Sequence, residues 1–78
     1  MPVPVFVSSS NIDAIGYSMG TLYIRFHHGG SYAYDKVPFE VFNGMKDAES
    51  AGKYFHANVK SKFEFRKLES DPFVKEAA

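Results

Sequence analysis

The sequence predicts a small α+β domain, a three-stranded antiparallel meander followed by two helices. Three observations carry that prediction. Residues Thr21 to His27 alternate apolar and polar with the two-residue period of a strand. Glycines stand where tight reversals would join this strand to a partner on each side. After Pro38, apolar residues recur at three- and four-residue steps, the period of a helix. With 45% hydrophobic positions among 78 residues, the chain carries enough apolar material for one core. Eight Phe and five Tyr make that core unusually aromatic. Large rings bring much area per residue, which offsets the poor surface-to-volume ratio of so short a chain.

Each element follows from its residues. Ile12 to Tyr17 reads as the first strand, closed onto the second by Ser18-Met19-Gly20-Thr21. Pairing around Met19-Gly20 sets Ile15 opposite Ile24 and Tyr17 opposite Leu22 on an oily face. Ile12, Ala14 and Gly16 then join Tyr23 and Arg25 on the second face. That face is too apolar to be plain solvent-facing surface, so a partner subunit, a helix or a ligand is expected on it. His28-Gly29-Gly30 turns the second strand into the third, Tyr32-Ala33-Tyr34. A two-residue loop, His28-Gly29 or Gly29-Gly30, puts both tyrosines on the Tyr23 and Arg25 face, and this is the register taken. A three-residue loop would move them to the oily face.

Pro38 suits the first position of a helix, with Val41, Phe42 and Met45 on its apolar stripe and Asn43-Gly44 weakening its middle. Ser50 is the expected N-cap of a second helix carrying Phe55, Val59 and Phe63. Phe63 and Phe65 also alternate with Lys62, Glu64 and Arg66, so a short C-terminal strand competes with a helix extension there. The expected organisation is an N-terminal extension over 1–8, one domain over 9–68 and a charged tail over 69–78.

Composition excludes several classes of function. There is no cysteine, so a disulfide scaffold, a zinc ribbon and a thiol nucleophile are all ruled out. No apolar run approaches the ~18 residues of a membrane span, and Val3 to Val7 is too short and too proline-broken for a signal-peptide core, so a cytoplasmic location and no membrane partner are expected. Zero net charge argues against coating nucleic acid by bulk electrostatics. The charge is uneven, however: residues 1–49 carry a balance of minus two and residues 50–67 a balance of plus four. This is either a basic region facing an anion or a solvated helix face. Ser8-Ser9-Ser10 lacks the glycines of a nucleophile elbow, and Asp13, Asp35 and Glu40 are scattered. His27, His28 and His56 lack metal-site spacing. Neither catalytic nor metal-binding residues are assigned, no cofactor is expected, and the chain is read as a non-enzyme.

Taken in order, Ser9-Ser10-Asn11-Ile12, Ile15-Gly16-Tyr17, Leu22-Tyr23-Ile24-Arg25-Phe26, Tyr32-Ala33-Tyr34, Val37-Pro38, Ala48 through Phe55, and Val59-Lys60 resemble the KTSC domain. That family is named for a C-terminal appendage of some lysyl-tRNA synthetases, and similar domains occur as free-standing small proteins of bacteria and phages. The resemblance covers residues 9 to 63, with the central Tyr-x-Tyr as its signature. It implies a module that binds RNA or another ligand.

The side chains have suitable chemistry for that role. Nucleotide bases are held by aromatic stacking and phosphates by cations. Tyr23, Tyr32 and Tyr34 are the candidate stacking residues, with His27 beside them, and Arg25, Lys53 and Lys60 the candidate phosphate partners. The competing reading packs the tyrosines beneath the helices. Ser50-Ala51-Gly52-Lys53 has the ingredients of an anion site, against which stands ordinary helix capping by Ser50. The expected function is non-catalytic binding of a nucleotide-type ligand. That ligand would be a small soluble nucleotide sequestered by a homo-oligomer, or short single-stranded RNA. The alternative is a protein-interaction or oligomerisation module that uses the aromatic sheet face.

Overall fold

A computed structural model describes residues 3–7 and 9–73. Its architecture is α+β, a five-stranded antiparallel sheet with two helices on one face. The strands are β1 (Val5–Phe6), β2 (Ile12–Ser18), β3 (Thr21–Phe26), β4 (Ser31–Tyr34) and β5 (Phe65–Leu68), and they neighbour one another in chain order. Helices α1 (Phe39–Asp47) and α2 (Ala51–Asn58) lie between β4 and β5 in the chain. The expected three-stranded meander is therefore the centre of a wider sheet. Val5–Phe6 adds an edge strand against β2, and Phe65–Leu68 adds the other against β4.

The first hairpin has the expected register, with Ile15 opposite Ile24 and Tyr17 opposite Leu22. Met19 and Gly20 both adopt positive φ, 50° and 81°, as a two-residue reversal between twisted strands requires. A bulge at Asp13 separates the Ile12 and Ala14 pairings. The extra residue swings Ile12 onto the inner face, where it is fully buried opposite Phe26, rather than onto the face of Arg25.

The second hairpin corrects the expected register. Arg25 pairs with Ser31, Ile24 with Tyr32 and Leu22 with Tyr34, and the Phe26 N–H donates to the Gly30 carbonyl. Three residues, His27 to Gly29, therefore form the loop, and both tyrosines stand on the oily inner face. Gly30 belongs to the ladder although its φ is 89°, and His27, which the alternating run assigns to the strand, is the third loop residue.

The core lies between this face and the helices. Ile12, Ile15, Leu22 and Ile24 pack with Tyr34, Val37, Phe42, Met45, Phe55 and Val59. Pro38 is the N-cap of α1 and Phe39 its first helical residue. The helix continues through Asn43-Gly44. Gly44 has a packing role: a Cβ there would lie 2.7 Å from Tyr54 Cζ, so the bare backbone admits the Tyr54 ring. Ser50 caps α2, its Oγ accepting from the Lys53 N–H at 3.3 Å. The helix ends at Asn58 with Val59 as C-cap, and Phe63 lies beyond it, so the strand reading prevails for the segment that follows.

The outer face is partly covered by the chain itself. After β5, Asp71 reaches back to Arg25, and Phe73 is buried beside the guanidinium. Ala14 and Gly16, on the same face, are also buried. A segment of the chain outside any helix thus packs on this face, where a partner subunit, a helix or a ligand was expected.

Candidate functional site

An aromatic groove lies on the inner face, beyond the end of α2. β3 and β4 contribute Phe26, Tyr32 and Tyr34, and β5 contributes Phe65. The turn after α2 brings Lys60 and Ser61, and the β3–β4 loop brings His28 and Gly29. Asn11, Phe55 and His56 complete a cavity of about 550 Å³. The β-strand alternation explains this composition, because Tyr32, Tyr34, Phe26 and Phe65 occupy same-face positions on adjacent strands. Their rings meet edge to face or tilted, with centroids 5.6 Å apart for Phe26 and Tyr32, 5.6 Å for Tyr34 and Phe55, and 5.5 Å for Tyr34 and Phe65.

Exposure divides the two tyrosines. Tyr34 is buried and Tyr32 half-buried. Burial, and secondarily the neighbouring Tyr32, raises the Tyr34 hydroxyl above its ordinary pKa of 10.0, so it stays protonated and neutral at physiological pH. Tyr34 is thus largely a wall of the cavity, whereas Tyr32 keeps ring surface available. Among the described residues no carboxylate lines the groove, and Lys60, His28 and His56 contribute nitrogen groups to the lining. Such a groove can hold a flat ring against aromatic surface while an anionic substituent meets nitrogen groups.

The residues proposed from sequence are split across the molecule. Tyr32, Tyr34 and Lys60 meet in the groove. Tyr23 and Arg25 are on the opposite face of the sheet, a direct consequence of the three-residue loop. Arg25 is already engaged: its Nε lies 2.9 Å from Asp13 Oδ2 and its Nη1 2.7 Å from Asp71 Oδ2. A guanidinium held by two carboxylates is not a free phosphate partner. His27 Nε2 lies 3.2 Å from the Ser9 carbonyl, outside the groove lining.

Ser50 and Lys53 are at the start of α2, whereas the groove lies at its other end. Their capping bond, and the closeness of Ser9 Oγ, which would lie 3.2 Å from a Cβ at position 52, make this a packed helix start rather than an anion cradle. Arg66 is also internally paired, with Asp35 oxygens at 2.8 and 2.9 Å. The basic stretch is therefore partly neutralised by the chain's own acids.

The groove also contains residues that sequence reasoning did not assign to a site: Asn11, Phe26, His28, Phe55, His56 and Phe65. A signal for two partners was present, since His56 and Lys60 have the four-residue spacing of neighbours along a helix and its end. The three-residue loop was the other missing piece.

Comparison with known proteins agrees with this architecture. Residues 8–63 match the KTSC domain. A protein of Tsukamurella paurometabola is 42% identical over 59 residues, covering 73% of this chain and 88% of the relative. A lysine–tRNA ligase of Trichormus variabilis is 42% identical over 48 residues, which are 62% of this chain but 9% of the ligase. The crystal structure of a KTSC domain protein from Yersinia pestis superposes with a TM-score of 0.82 at 36% identity, covering 87% of this chain and 99% of that one. With the family match spanning the meander and both helices, and a solved member sharing the fold, the chain belongs to the KTSC domain family.

Proposed function

We propose that this protein is a non-catalytic binding domain that holds a nucleotide-type ligand in the inner-face groove, as a small soluble nucleotide or one nucleotide of a short single-stranded RNA. The observation that carries the reading is the composition of the groove, which combines Tyr32 and its aromatic neighbours with Lys60, His28 and His56 and, among the described residues, has no carboxylate in its lining. A base has a π-face for the rings, and a phosphate has the charge for Lys60. The similarity of a 48-residue stretch to part of lysine–tRNA ligases is consistent with an RNA-related ligand. A second subunit is not needed to form this cavity. The sequence-based argument for a homo-oligomer came from the outer face, which Phe73 and its neighbours now occupy.

Calorimetric titration with a panel of mononucleotides and short single-stranded RNAs tests the proposal. At least one member should bind, and Tyr32→Ala should weaken it by about 1–3 kcal/mol, the value of one stacking contact. A panel that gives neither heat nor thermal stabilisation would overturn the reading. So would a Tyr32→Ala variant that folds and binds as well as the parent.

A further inference from the structure

We propose that the outer face of the sheet is a docking surface for a partner segment carrying a carboxylate two residues ahead of an aromatic ring, and that residues 69–73 of this chain occupy it in cis. The bound example is Asp71-Pro72-Phe73. Asp71 Oδ2 accepts from Arg25 Nη1 at 2.7 Å, and the guanidinium carbon lies 5.2 Å from the centroid of the Phe73 ring. The ring is 1% exposed, so the anchor fills a formed site. Asp71 Oδ1 also accepts the Phe73 N–H at 3.1 Å, which fixes the turn within the segment itself. A carboxylate, a ring and the short backbone between them are therefore read together by one arginine.

On the receptor side, Arg25 has a second partner outside the segment. Asp13, on the bulge of β2, holds Arg25 Nε at 2.9 Å, leaving Nη1 for the incoming carboxylate. Preorganisation of this kind reduces the ordering that a partner must impose. Asp13 and Arg25 lie inside the region matched to the family, residues 8–63, whereas the occupying segment lies beyond it. The segment is also anchored at discrete points, because a cleft of about 350 Å³ remains among Tyr23, Arg66, Leu68 and residues 69–72. Only Glu69 and Ser70 separate β5 from Asp71, and so short a tether gives an effective concentration in the mM range. A free segment of the same chemistry should therefore be excluded until the cis copy is weakened.

The test uses the full chain and a fluorescently labelled peptide amide, Glu-Ser-Asp-Pro-Phe. Asp71→Asn combined with Phe73→Ala should bind the peptide at least about tenfold more tightly than the parent, as release of a tethered competitor requires. Binding should be lost when the peptide aspartate is replaced by asparagine, or when Arg25→Gln is added to the protein. A cooperatively folded double variant that ignores the peptide, or a parent that binds it equally well, would overturn the proposal. If the double variant fails to fold, Asp71→Asn alone decides, since it retains the buried ring. It should show the same gain at smaller amplitude, and binding no better than the parent's would refute the docking surface.

Discussion

Gly44 illustrates how a residue disfavoured by its local structure can be required by a contact across it. In an exposed helix, alanine would be favoured over glycine by about 1 kcal/mol. Here a Cβ would enter the Tyr54 ring, 2.7 Å from Cζ, and overpacking of this kind costs about 1–3 kcal/mol. The contact should win, so Gly44→Ala is expected to lower stability in urea melts, and Tyr54→Ala in the same chain should restore part of the loss. A stabilised single variant would show that propensity dominates. Tyr34 gives a second test, through pH. Its hydroxyl ionises above the ordinary 10.0 in the folded chain, chiefly because it is buried. Between the unfolded and folded values the native state binds more protons, so the stabilising contribution is fully present below about pH 10 and is lost as pH rises through the folded value. Tyr34→Phe should therefore flatten the alkaline fall in melting temperature. Parallel curves for parent and variant above about pH 10 would refute this linkage.

At the scale of elements, one loop residue separates the legible part of the fold from the part that was not. The β2–β3 hairpin could be read because Met19-Gly20 closes it without ambiguity and the Ile15 and Ile24 pair agrees with the oily face. Both helices were legible from Pro38, Ser50 and the spacing of Phe42, Met45 and Phe55. The β3–β4 register was not, because His28-Gly29-Gly30 permits loops of either length and alternation converts that choice into opposite faces. Burial decides it: the three-residue loop places Tyr32 and Tyr34 with Ile24 and Phe55, which the two-residue loop would leave without them. The Asp13 bulge had no sequence signal either, since aspartate in a strand does not announce an extra residue. β1 has only two residues, too few for periodicity to register. The loop conformation itself can be tested. Gly29 and Gly30 have φ of 100° and 89°, and a side chain pays roughly 1–2 kcal/mol in left-handed backbone. Gly29→Ala has open space around its Cβ, so its loss of stability should report backbone conformation alone. An unchanged urea midpoint for Gly29→Ala would mean that the loop adopts another conformation.

For the whole molecule, the sheet separates two chemistries that a two-residue β3–β4 loop would have placed together. The inner face carries the groove with Lys60, and the outer face carries Arg25 between Asp13 and Asp71. From sequence, Arg25 would meet the ligand's phosphate; in the structure it is held by Asp13 and Asp71 beside the Phe73 ring. Arg25→Ala leaves two carboxylates without their shared cation and removes packing from Phe73, a loss of about 1–2 kcal/mol. For a domain of this size that corresponds to roughly 5–10 °C in melting temperature. Nucleotide affinity in the opposite groove should stay unchanged at temperatures where the variant is folded. Lys60 is exposed and has no ion-pair partner among the described residues, so Lys60→Ala should leave the melting temperature within about 2 °C of the parent. It should weaken nucleotide binding several-fold at low salt, with the difference shrinking as salt screens the lost charge. Calorimetry at two salt concentrations and a thermal melt for each variant separate the outcomes. Loss of binding in folded Arg25→Ala would return the ligand to the outer face. Intact, salt-dependent binding in Lys60→Ala would remove the phosphate from the groove.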